Sequence, residues 1–98
     1  MITINEAREK VQALLVRKGK FVDGGFAILD GLTTEKPYGW LFFYDSRRHV
    51  ETGDIADAIA GNGPIVVLAS GEIHELGSRL APDLEVRALE ERLGLGAA

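Results

Sequence analysis

Apolar residues near the start of the chain fall at Ala7, Val11, Leu14 and Leu15, a spacing that gathers one stripe on one side of a helix. Thr3-Ile4-Asn5-Glu6 stands ahead of them as a capping box, its hydroxyl and carboxylate able to satisfy backbone donors at a helix start. Arg17, Lys18 and Lys20 suit the negative end of a helix dipole, and Gly19 suits a stop. A first helix over about residues 4–18 is predicted. After the turn Asp23-Gly24-Gly25 the period changes, and Phe26-Ala27-Ile28-Leu29 reads as a strand ending near Thr33. Thr34 to Pro37 then form a short connection into Tyr38–Tyr44, which should pair antiparallel with the preceding strand. Alternation from Tyr38 places Tyr38, Trp40, Phe42 and Tyr44 on one face and Leu41 and Phe43 on the other.

The stretch Asp45 to Gly53 is polar and has no assignable period, so the connection from Asp45 to Asp57 is expected to be exposed and loop-like. Asp54 suits the N-cap of a short helix, Ile55 to Ala60, stopped at Gly61. Pro64 to Ala69 is apolar throughout, the pattern of an interior strand covered on both sides. Ser70-Gly71 turns the chain back into the more polar strand Glu72–Leu76. Pro82 at a first turn, then Val86, Leu89 and Leu93 with Gly94 behind them, predict a last helix. The fold class expected is α+β: one domain over residues 1–98 with a loose tail from 94. Its four-stranded antiparallel sheet carries the first helix across it, with a short middle helix and a C-terminal helix.

Composition narrows the function. A chain of 98 residues with 46% hydrophobic and 27% charged positions holds one modest core and is not disordered. The longest apolar run is strand-sized, far short of the roughly 20 residues that cross a bilayer, and no signal segment opens the chain. Without cysteine there is no disulfide framework, thiolate nucleophile or Cys-based zinc site, and a cytoplasmic location is the simplest expectation. Residues 1–20 carry a local charge of +3, and residues 21–98 carry −7. That balance disfavours nucleic acid and suits a basic protein partner.

No constellation of side chains supports catalysis. Gly61-Asn62-Gly63-Pro64 follows a helix and precedes a strand, the reverse of a phosphate-binding fingerprint, and reads as a helix stop and tight turn in which Asn62 would tolerate a left-handed conformation. His49 and His74 have no recognised metal spacing, although His49 and Glu51 would share a face if they lay in a strand. The serines lack a nucleophile elbow, and Asp45, Glu51, Asp54 and Asp57 form an acidic stretch whose ordinary role is solvation. No enzyme, cofactor or metal is expected. Five of the seven aromatic residues fall within Glu35–Tyr44. Such rings build cores, and where one surfaces it anchors a partner.

Four ordered blocks carry a family resemblance: Glu35-Lys36-Pro37-Tyr38-Gly39-Trp40 with Phe42-Phe43-Tyr44, Glu51-Thr52-Gly53-Asp54, Gly61-Asn62-Gly63-Pro64-Ile65, and Ile73-His74-Glu75-Leu76-Gly77. The chain resembles the immunity protein 35 family, small bacterial proteins also called YrhB-type domains, from Thr3 to about Leu93. It differs in a last helix without aromatic residues. The resemblance implies an α+β fold and stoichiometric neutralisation of a cognate toxin domain from contact-dependent or secreted antibacterial systems. Because one relative has been viewed as a small chaperone, a holdase for unfolded clients is the alternative. Tyr38, Tyr44, Asp45, Glu51, Asp54 and Asp57 are the candidate partner-binding residues, aromatic anchors with an acidic rim.

Overall fold

The computed structural model describes residues 1–57 and 62–95. Helix α1 runs Ile4–Lys18 and begins as its capping box requires. Glu6 N–H donates to Thr3 Oγ1 and Thr3 N–H to the Glu6 carboxylate, and Gly19 closes the other end. Ala7, Val11, Leu14 and Leu15 are buried, so the stripe read from the sequence is the packing face.

Strands β2 (Thr34–Lys36), β3 (Gly39–Phe42), β5 (Ile65–Leu68) and β6 (Ile73–Glu75) form a four-stranded antiparallel sheet in the order β2-β3-β5-β6. Strands β1 (Phe26–Ile28) and β4 (Tyr44–Ser46) pair antiparallel in a second, two-stranded sheet. The two sheets share one long line of chain, because β4 continues β3 past Phe43. Leu29 N–H donates to Phe43 O at 2.8 Å and carries the ladder across the break. The first strand therefore does pair with the aromatic strand, but with its second half. Its first half pairs with Thr34–Lys36, which is an edge strand rather than a plain connection. A two-residue turn, Pro37-Tyr38, joins β2 to β3. The tight turn takes Tyr38 off the alternation, so it packs beside Leu41 and Phe43 instead of with Trp40, Phe42 and Tyr44.

Helix α1 covers one side of the chain's strands and helix α3 (Pro82–Leu93) the other. Ile28, Phe42, Tyr44, Ile65 and Val67 join the α1 stripe, with Trp40 and Phe26 half-buried at its margin. Leu41 and Val66 meet Val86 and Leu89 of α3, with Tyr38, Phe43, Leu68 and Leu76 around them. Strand β5 feeds alternate side chains to both layers, which is why its sequence is apolar without interruption. Leu93 lies at the rim and is partly exposed. Gly94 ends α3 in the left-handed region, letting Leu95 N–H reach back to Glu90 O at 2.8 Å.

Candidate partner-binding site

The polar stretch that resisted assignment is ordered. Helix α2 spans Arg47–Thr52, and a 3₁₀ turn follows at Ile55–Asp57. The helix expected at Ile55–Ala60 is replaced, within the described residues, by that turn; residues 58–61 lie outside them. Local side chains make the difference. Ser46, 3% exposed, accepts from His49 N–H at 3.1 Å and caps α2. Gly53 takes φ +72° and ends it. Thr52 Oγ1 donates to Arg48 O at 2.7 Å and accepts from Asp54 N–H at 3.1 Å. Asp54 Oδ1 then accepts from Ala56 N–H at 3.0 Å, the capping role read from its sequence.

His49 locks this corner. Its Nδ1 lies 2.9 Å from Asp54 O, and because a carbonyl only accepts, Nδ1 carries the proton. His49 and Glu51 lie in a helix, not a strand, so the shared face expected for a strand does not arise. The corner is also tied to the loop after α1: Arg48 bridges Asp23 at 2.7 Å, and Arg47 donates to the Gly24 and Phe26 carbonyls. What remains outward is acidic and apolar. Glu51 and Asp54 are exposed, while Val50 is 40% and Ile55 84% exposed.

The other candidate residues divide. Tyr44 is 6% exposed, its ring 5.3 Å from that of Phe26, so it builds the core and offers no surface to a partner. Burial pushes its hydroxyl above the ordinary tyrosine range, with Lys18 opposing in part. Tyr38 is half-buried and donates to Glu90 Oε2 at 2.6 Å. Burial, then the Glu90 carboxylate, raises its pKa strongly. Asp45 sits in β4, half-buried, and accepts from Ser46 N–H at 2.7 Å, so it belongs to the strand rather than to a loop. The backbone of Asp57 ends the 3₁₀ turn. Of the six candidates, the structure brings Glu51 and Asp54 together at one corner, with Tyr38 on the far layer. Val50 and Ile55 were missed, although a lone apolar residue on each side of an acidic pair was a visible signal.

A cleft of about 480 Å³ opens beside Tyr38 between α3 and the β2 edge, floored by Leu41, Phe43 and Val86. Lys36 and Arg87 on its walls are balanced by Asp83 and Glu90, so it favours neither charge. The glycine turn is structural: a Cβ on Gly63 would strike the Leu76 and Gly77 carbonyls. Asn62 does not take the left-handed conformation; its amide donates to Tyr44 O at 2.7 Å and covers the open side of β4. Among the described residues no cluster of three or more His, Asp or Glu could hold a metal ion, and no helix is long and apolar enough to cross a membrane.

The profile of the family described as Immunity protein 35 matches residues 5–87. The chain belongs to the immunity protein 35 family. The match takes in β1 through β6, the acidic corner and the first turn of α3. It is also 49% identical over 41 residues to the uncharacterized protein YrhB of Escherichia coli strain K12, an overlap of 41% of this chain and 44% of YrhB. No solved structure matches the chain. Within the matched residues, the α2 corner is a hydrogen-bonded projection with an acidic and apolar tip.

Proposed function

We propose that the chain is an immunity protein that binds one antibacterial toxin domain stoichiometrically and blocks it without chemistry of its own. The observation that carries this reading is the α2 corner, where Ile55 and Val50 stand exposed beside Glu51 and Asp54 on a hydrogen-bonded frame. An apolar anchor held rigidly loses little entropy on docking, and flanking carboxylates steer a basic surface toward it. The toxin surface it fits therefore has a basic rim around an apolar recess. Family membership supports the partner class.

Co-expression with its cognate toxin domain should restore growth, and undiminished killing would sink the reading. At the residue level, Glu51→Gln should slow association with the toxin and flatten its salt dependence while leaving the melting temperature in place. Ile55→Ala should instead act on dissociation. Association kinetics indifferent to Glu51 across a salt series would move the interface away from this corner.

A further inference from the structure

The face that bears the acidic corner continues into a surface of opposite sign. Beyond the Asp23–Arg48 bridge, the chain runs back through residues 19–25 to the end of α1. There Phe21 is 93% and Val16 75% exposed, and Lys20 Nζ lies 5.7 Å over the Phe21 ring. Lys20 is exposed and has no carboxylate partner, and Glu51 at the other end no cationic one, among the described residues. Arg47 lies between, its guanidinium bonded to backbone carbonyls and without a carboxylate partner among the described residues. The result is a strip with a lysine and an exposed aromatic at one end, carboxylates and an exposed isoleucine at the other, and an ion pair in the middle.

We propose that this strip is self-complementary, and that two copies of the chain associate through it about a two-fold axis. The Lys20/Phe21 end of each copy then meets the Glu51/Asp54/Ile55 end of the other. An isologous contact requires that one surface carry both halves of each interaction, and this strip does. Each apolar residue gains an apolar neighbour, and each unpartnered charge gains an opposite one. A standard interface of about 800 Å² per partner is roughly an eighth of the 6199 Å² surface, within reach of a strip reaching from α1 to the 3₁₀ turn. The pairing stands on the free chain. Only its corollary, that a toxin must displace the second copy to reach the corner, rests on the function proposed above.

The test is sedimentation velocity of the full chain without toxin, over a protein and salt series. The expected result is a concentration-dependent monomer–dimer equilibrium that weakens with salt. Lys20→Glu makes both contacts acid on acid, and Glu51→Lys makes both base on base. Each should raise the dimer dissociation constant at least about tenfold. Mixing the two variants should restore a dimer that neither forms alone. Phe21→Ser with Ile55→Ser should dissociate the dimer without altering charge, and Glu51→Gln serves where Glu51→Lys fails to fold. A monomer at every concentration, or a dimer indifferent to these variants, would overturn the proposal. Because no toxin is present, neither outcome depends on the immunity reading.

Discussion

Replacing Gly39 with alanine should be among the most damaging small changes in this protein, and the structure says why. Gly39 begins β3 with φ +157° and lies opposite Leu68 of β5. A Cβ there would be driven into the Val67 carbonyl oxygen and would stand 2.9 Å from Leu68 Cα. Both are backbone atoms of the central strand, so no side chain can swing aside to make room. Forcing volume into such a contact costs about 1–3 kcal/mol, and an L-residue at this φ adds about 1–3 kcal/mol. A combined loss of about 2–6 kcal/mol would consume much of the roughly 5–15 kcal/mol expected for a domain of this size. Gly31 supplies an internal control, since the same substitution there meets nothing within 4 Å and needs no positive φ. Gly31→Ala should be neutral or stabilise by about 0.4–1 kcal/mol through the unfolded chain. Urea unfolding decides it: Gly39→Ala should lower the midpoint by at least about 1 M, and Gly31→Ala should not lower it. Equal midpoints for the two variants would refute the close approach of β3 to β5.

Ser46→Ala removes the cap of α2 and should cost about 1 kcal/mol; by loosening the corner it should also weaken toxin binding, read by calorimetry, although Ser46 itself is buried. Tyr38→Phe loses a hydrogen bond to a carboxylate and should cost about 1–2 kcal/mol at pH 7. Because the folded pKa of Tyr38 is raised, the folded state holds its proton longer, so stability falls as pH rises above about 10; the gap between wild type and Tyr38→Phe should narrow there. The Arg8 guanidinium, bonded to Asp30 at 2.7 and 2.9 Å, holds that carboxyl below its usual range. Its contribution is present above about pH 4 and lost as pH falls through the folded value, so Asp30→Asn should cost at most about 1 kcal/mol at neutral pH and progressively less as an acid melt protonates the carboxyl.

Where a single local signal decides the structure, the sequence was sufficient. Thr3 and Glu6 dictated the start of α1, and Val66 between Ile65 and Val67 announced a strand covered on both sides. Where two signals competed, it was not. Ser46 and Gly53 bracket α2 as cap and stop, but Asp54 offered an equally good cap eight residues later, and both turned out to be used. Tyr38 departed from its alternation because Pro37 starts a turn, and a turn residue has no strand face. The burial of Tyr44 was half legible: alternation placed it with Phe42, while the tendency of aromatic residues to anchor partners suggested a surface. The corner itself needed three dimensions, since only the His49–Asp54 bond and the Asp23–Arg48 bridge show that a polar stretch is rigid.

The frame of the α2 corner is closed by Ser46, His49, Thr52, Gly53 and Asp54, all bonding to backbone within one short segment. Val50, Glu51 and Ile55 take no part in those bonds, and neither core contains them. Apart from Asp54, whose carboxylate both caps the turn and faces outward, the frame residues and the side chains proposed for contact alternate along ten positions without sharing duties. A lineage facing a changed toxin could replace the three outward side chains one at a time, each step leaving folding intact, so recognition could drift while the domain stays recognisably the same.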